Sequence, residues 1–96
     1  MDLRELLQEK REEILRIAHA HKAHNVRVFG SIVRGESGET SDVDFLVEFG
    51  PGCGLFEYAA LVRALEAVLG RKVDVVSEKA LRPRLRDRVL GEARAL

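Results

Sequence analysis

The sequence predicts a small α/β (α+β) domain: a mixed three-stranded sheet with helices packed on one face. Three observations predict it. Apolar residues recur at helical spacing before position 22, short runs rich in β-branched residues fall around 26–29, 43–49 and 72–76, and glycine-rich breaks separate them. The order is helix, strand, loop, strand, helix, strand, helix, the pattern of a two-layer sheet protein. At 96 residues the chain reads as one domain over 1–96, which buries roughly 60–65% of its extended surface.

Each element has its own signal. From Asp2 to about Lys22, Leu3, Leu6, Leu7, Ile14, Ile17 and Ala18 form one stripe, with Asp2 and Glu5 at the start and His19, His21 and Lys22 at the end, as the helix dipole favours. Asn25 interrupts, and Val26 to Phe29 alternates as a strand until Gly30 breaks it. Residues 35–41 contain no apolar side chain and two glycines, which predicts a loop. A second strand runs from Val43 to Phe49, and Gly50 to Gly54 form another loop. The spacing of Tyr58, Leu61, Leu65, Val68 and Leu69 predicts a helix over 55–69, ended by Gly70. Lys72 to Val76 is a third strand, and Pro83 can open a last helix whose Leu85, Val89 and Leu90 face inward.

Charge and composition exclude several classes. Sixteen basic and 16 acidic residues leave a formal net charge of zero, so no global field draws the chain to nucleic acid or anionic lipid. No apolar run approaches the roughly 18 residues of a membrane span, and the amino terminus reads as a charged helix, which makes the cytoplasm the expected compartment. Cys53 is the single cysteine, so an intramolecular disulfide and a thiolate zinc site are not expected.

Alternation decides where the acidic residues point. Val43, Phe45 and Val47 share one strand face, as do Val73 and Val75, and these faces belong to the core. Asp42, Asp44 and Asp74 therefore point the other way and gather on the open side of the sheet if the two strands are neighbours. Two charges about 4 Å apart repel by roughly 1 kcal/mol in water and about 4 at an effective dielectric of 20. Three such groups favour proton uptake or a divalent cation, and an all-oxygen set suits magnesium or manganese better than zinc. Taken alone, they could equally be unrelated surface aspartates at strand ends.

The turn upstream changes that balance. Gly30 lets the backbone approach a bulky anion, Ser31 adds a hydroxyl and an amide, and Ile32-Val33-Arg34 can begin a short helix whose free amides favour phosphate. Arg34, about one helical turn beyond Ser31, can turn its guanidinium fork to the same anion. A phosphate cradle joined to a carboxylate cluster describes a site for a nucleoside triphosphate with two metal ions. Such a site works mainly by positioning and charge stabilisation, as phosphoryl or nucleotidyl transfer requires.

The segments Gly30-Ser31-Ile32-Val33-Arg34-Gly35-Glu36 and Ser41-Asp42-Val43-Asp44 resemble the signature of the DNA polymerase beta-like nucleotidyltransferase superfamily, in its minimal nucleotidyltransferase, antitoxin branch. Gly70 to Val76 resembles that branch's third-aspartate strand, and Leu81-Arg82-Pro83 with the following helix resembles its ending. The resemblance implies a polymerase beta palm-like fold. It implies that Asp42 and Asp44 bind both magnesium ions, that Asp74 binds the one activating the acceptor hydroxyl, and that Gly30 and Ser31 hold the triphosphate, with ATP as donor. It also implies a HEPN-domain ribonuclease toxin as partner, and for some members transfer of AMP to a tyrosine of that toxin.

The chain runs about twenty residues beyond its third aspartate, too few for a lobe that grips a primer-template duplex or a small acceptor. The acceptor is therefore expected on another protein, or a homo-oligomer completes the site. The alternatives are a non-catalytic antitoxin that neutralises its partner by complex formation, and transfer to RNA or a small molecule.

Other features carry less. His19 and His21 diverge by about 200° around a helix and do not form a metal pair with His24. The arginines at 82, 84, 86, 88 and 94, offset by Asp87 and Glu92, read as a solvated helix face that could meet an acidic partner or RNA, but no aromatic residues interleave for base stacking. Tyr58 lies on the apolar stripe of its helix, where packing is its expected role, with self-modification or base stacking as the alternatives.

Overall fold

The computed structural model describes residues 2–36, 38 and 42–96. Of the loop expected over 35–41, Ser37 and residues 39–41 lie outside the described residues, as does Ser41 of the aspartate signature.

The expected long amino-terminal helix is two: α1 (Leu3–Glu9) and α2 (Arg11–Ala20), joined at Lys10. Asp2 caps α1 by accepting from the Glu5 amide at 2.8 Å. Lys10 still donates to the Leu6 carbonyl and Ile14 to that of Lys10, so the junction is a local break in an almost continuous path. No proline or glycine marks it, and periodicity alone reads through it. Leu3, Leu7, Ile14 and Ala18 are all buried on the sheet.

Strand β1 (Ala23–Phe29) begins three residues before the expected start at Val26. Asn25 does not end the strand but occupies a register shift between His24 and Arg27, with φ at +51°. Asparagine tolerates this left-handed conformation, and its side-chain amide donates to Glu48 at 2.7 Å, so the extra residue is absorbed as a bulge.

After a one-turn helix α3 (Ser31–Arg34) comes β2 (Val43–Phe49), then α4 (Leu55–Leu69), bounded by Gly54 and by Gly70 in the left-handed conformation, as expected. Strand β3 (Val73–Ser77) leads through a 3₁₀ turn (Glu78–Ala80) to α5 (Pro83–Glu92). A fourth strand, β4 (Arg94–Ala95), was not expected; two residues carry no alternation to read. The sheet order is β3-β2-β1-β4, with β2 antiparallel to β1 and parallel to β3, and β1 antiparallel to β4.

The main core lies between one sheet face and α1, α2 and α4. Val43, Phe45, Val47, Ile14 and Leu61 are essentially sealed from solvent there. Leu46, on the opposite face of β2 by alternation, is also fully buried, and neither it nor Val89 of α5 belongs to the main cluster. The opposite face is therefore partly covered. Arg27 pairs with Glu78 at 3.2 Å, and α5 lies against the Asp44 side of the sheet, where Leu85, Val89 and Asp44 line one cavity. The expected helical layer on one face is α1, α2 and α4, with α5 adding partial cover on the other. The inward-facing Leu85 is corrected, since it is 49% exposed at the cavity's lip.

Tyr58 has a structural task. Its hydroxyl donates to the Val75 carbonyl at 2.8 Å, and its ring meets Phe49 edge-on at a centroid distance of 6.1 Å. Burial, with Asp74 nearby, pushes its pKa up. Replacing it by phenylalanine keeps the packing and orphans the carbonyl, so Tyr58→Phe should lower unfolding free energy by about 1 kcal/mol, read by urea denaturation.

Candidate functional site

Strand β2 carries the centre of the site. Asp44 has Phe29 as its register partner on β1 and Asp74 as its partner on β3. Asp42 lies two residues earlier, immediately before β2 and on the same side by alternation. The three predicted aspartates thus share one sheet face. Asp42 and Asp74 are exposed, while Asp44 is half-buried. Burial, then the charges of Asp74 and Asp42, raise the Asp44 pKa above its ordinary value, with Glu92 adding to the rise and Arg34 opposing it.

Gly30 follows Phe29 directly and so arrives beside Asp44. Its φ of +82° and ψ of −148° belong to glycine. A Cβ on Gly30 would collide with the Asp44 carboxylate. The turn and the aspartate are therefore one packed unit, and a side chain at position 30 would evict the carboxylate. From Gly30 the chain enters α3. Val33 and Arg34 donate to the Gly30 carbonyl at 3.1 and 3.2 Å, while the Ser31 and Ile32 amides open the turn with no intrahelical acceptor. Ile32 is 3% exposed and roots the turn in the main core.

Arg34 is not a free cation. Its Nη1 donates to Glu92 Oε1 at 2.5 Å and its Nε to Glu36 Oε2 at 3.2 Å. The Glu36 hydrogen bond and the Glu92 charge raise its pKa. A cavity of about 250 Å³ is lined by Gly30, Arg34 and Asp44 on one side and by Leu85, Arg88, Val89 and Glu92 of α5 on the other, with Phe29 at its floor. The structure thus brings Gly30, Arg34 and Asp44 to one cavity, with Ser31 next in the chain and Asp42 and Asp74 flanking Asp44. A larger cavity of about 400 Å³ lies behind α3, between Leu7, Ile32, Val33 and Leu96, and touches none of the aspartates.

Of the α5 wall, alternation at helical spacing marks Leu85 and Val89 as inward, but Arg88 and Glu92, on the same helical face, read as solvated charge. Among the remaining candidates, His21 lies 3.4 Å from Glu57, and His19 and His24 are exposed.

Among the described residues, no three acidic, histidine or cysteine side chains close into a ready-made metal cage. The donor set is nonetheless carboxylate only, crowded at Asp44. That chemistry fits a hard divalent cation completing its shell with water and substrate oxygens.

Residues 4–96 match the model of the nucleotidyltransferase domain family. A Methanocaldococcus jannaschii protein named as a candidate protein adenylyltransferase is 42% identical over 87 residues, 91% of this chain and 94% of that protein. The protein adenylyltransferase MntA of Thermococcus cleftensis is 42% identical over 89 residues, 84% of this chain and 90% of its own. The solved structure of a candidate minimal nucleotidyltransferase superposes with a TM-score of 0.89 at 52% identity, covering 100% of this chain and 97% of that one. At the level of fold alone, a toxin–antitoxin crystal structure with AMP-PNP superposes with a TM-score of 0.75 at 21% identity, covering 88% of this chain and 69% of that one. No helix among the described residues is long and apolar enough to cross a membrane.

Two outcomes follow from the packing of Asp44. Gly30→Ala should cost about 1–3 kcal/mol of stability and displace the Asp44 carboxylate, read by denaturation and by loss of divalent-cation binding. Asp44→Asn should instead raise the melting temperature of the metal-free protein. Because the folded-state pKa is raised, Asp44 contributes most stability below its ordinary value of 3.8 and loses that contribution as pH climbs through the raised value. The advantage of the Asn variant should therefore open as pH rises through that window and stay constant at neutral pH. Melting curves from pH 3 to 8 in chelator check it, and equal curves at neutral pH would count against the crowding argument.

Proposed function

The chain belongs to the nucleotidyltransferase domain family, and from that premise we propose that it transfers AMP from ATP, with magnesium, to a hydroxyl on a partner protein in the cytoplasm. The observation that carries this reading is Asp44 pressed onto Gly30, with Asp42 and Asp74 beside it on the same face. That unit joins a phosphate-approaching turn to a carboxylate cluster, as transfer of a nucleotide requires. The names of the relatives at 42% identity support a protein as acceptor. The toxin–antitoxin complexes among the fold neighbours, one of them MntA with HepT, support a HEPN-type toxin as the partner.

In this reading Asp42 and Asp44 would hold two magnesium ions, and Asp74 would help to hold the one that activates the acceptor hydroxyl. When bound, the ions neutralise phosphate charge and make the acceptor hydroxyl more acidic. The chain's own residues do the remainder. The Ser31 and Ile32 amides and the Ser31 hydroxyl hold phosphate oxygens at the start of α3. Arg34 adds its guanidinium to the same group. The acceptor oxygen then bonds to the α-phosphorus, the bond from that phosphorus to the bridging oxygen of pyrophosphate breaks, and the hydroxyl proton passes to the exposed Asp74 carboxylate.

Incubation with α-labelled ATP, magnesium and the partner should place label on the partner. Asp44→Asn should reduce labelling by on the order of 100-fold or more, and a chelator should abolish it. Labelling that survives in the Asn variant sinks the mechanism. Full neutralisation of the toxin by an unlabelling variant would favour an antitoxin that acts by binding alone.

A further inference from the structure

The cation best placed to hold phosphate is already occupied. Arg34 is held by Glu92 through Nη1 and by Glu36 through Nε. Of the two acids, Glu36 is 63% exposed while Glu92 is 15% exposed and lines the cavity that contains Asp44 and Gly30. An incoming polyphosphate that takes Arg34 must displace a carboxylate that is mostly out of water and close to the guanidinium.

The helix that carries Glu92 is fixed at that end. Arg94 donates through Nη1 to the carbonyls of Gly91, Glu92 and Ala93 at 3.2, 3.2 and 3.0 Å. Arg94 and Ala95 also pair with β1 as β4. The backbone at Glu92 is therefore tied to the sheet, and release of Arg34 has to come from rotation of the Glu92 side chain. A second partner is within reach. Arg88 lies four residues earlier on the same face of α5, lines the same cavity, and makes no ion pair among the described residues. Pairs at this spacing are neighbours on a helix surface.

We propose that Glu92 is a positioning residue that gates nucleotide entry: its carboxylate holds Arg34 until a nucleotide arrives, and the triphosphate takes Arg34 while Glu92 turns to Arg88. The inference rests on the nucleotide-binding half of the reading above and is independent of which protein accepts AMP. It gives the site two arrangements of the same three side chains. The first pairs Arg34 with Glu92, and the second commits Arg34 to phosphate without leaving Glu92 unpaired. Apparent affinity is then set by the fraction of molecules in which Arg34 is free.

The test is a double-mutant cycle on ATP binding, with magnesium present and no partner protein, by titration calorimetry. Melting temperatures confirm that each variant is folded, and Glu92→Gln preserves size and hydrogen-bonding capacity. In the otherwise native chain, Glu92→Gln should tighten ATP roughly threefold to tenfold, the size expected for releasing a partly buried ion pair. In an Arg34→Gln background it should change nothing, because the side chain being released is gone. A gain of the same factor in both backgrounds is a general charge effect and overturns the proposal, as does unchanged or weakened binding in the single variant.

Arg88→Gln supplies a second reading. It should weaken ATP about twofold or more, within the range of a helical ion pair, and have no effect once Glu92→Gln is present. An effect that persists there puts Arg88 on the phosphate itself and overturns the exchange. ATP binding with the expected cycle but no labelled acceptor would remove the transfer reading and leave the gate standing. ATP binding with no cycle would do the reverse.

Discussion

Asp44 sits on a strand whose other face is sealed, since Val43, Phe45 and Val47 are 0%, 0% and 1% exposed. A slip of one residue in the pairing of β2 would turn all three outward and drive the carboxylate into the core. Burying such side chains contributes roughly 1.5–3 kcal/mol each. Repulsion between carboxylates about 4 Å apart at a protein surface is about 4 kcal/mol at most for an effective dielectric of 20. Apolar burial therefore outweighs crowding, and the strand holds Asp44 beside Asp74 although the charges alone would separate them.

The same register brings in the turn. Phe29 is the β1 partner of Asp44, so the next residue must leave the sheet against that carboxylate, and only a residue without Cβ can do so there. Gly30 thus serves conformation and contact at one position. Its positive φ starts α3, and its bare Cα accommodates Asp44. Ile32 then anchors α3 to the core that fixes β2, so the turn's amides and the aspartate are referred to one rigid body. Short helices have little stability of their own, and this one borrows its order from the packing of Ile32 and Val33 on the core.

Sequence reading reached the features that depend on regular alternation. The inward set on β2, the shared outward face of Asp42, Asp44 and Asp74, the limits of α4 between two glycines and Pro83 at the head of α5 all follow from local pattern. What it missed depends on tertiary context. The bulge at Asn25 needs the pairing with β2 to show that the strand continues on both sides. Strand β4 is two residues long and exists because β1 has a free edge. Leu85 looks apolar and inward on a helical wheel, yet α5 lies on the charged side of the sheet, where that position meets a cavity. Arg34 was legible as a cation near the turn, but its partner Glu92 lies 58 residues away, beyond any local signal.

A chain with 16 basic and 16 acidic residues has no general attraction for anions, so the balance inside the site decides what it binds. Counted against Arg34 and Arg88, the carboxylates of Asp42, Asp44, Asp74, Glu36 and Glu92 in and beside the cavity leave an excess of three negative charges. Such a cluster repels a triphosphate unless cations enter with it. Two divalent ions would more than reverse the excess, whereas one would leave it negative. The charge of the half-buried Asp44 is both desolvated and crowded. A divalent cation bound there would relieve that crowding. With its cations in place such a site would carry the sign that a polyphosphate needs, and the proposed release of Arg34 from Glu92 would add to it.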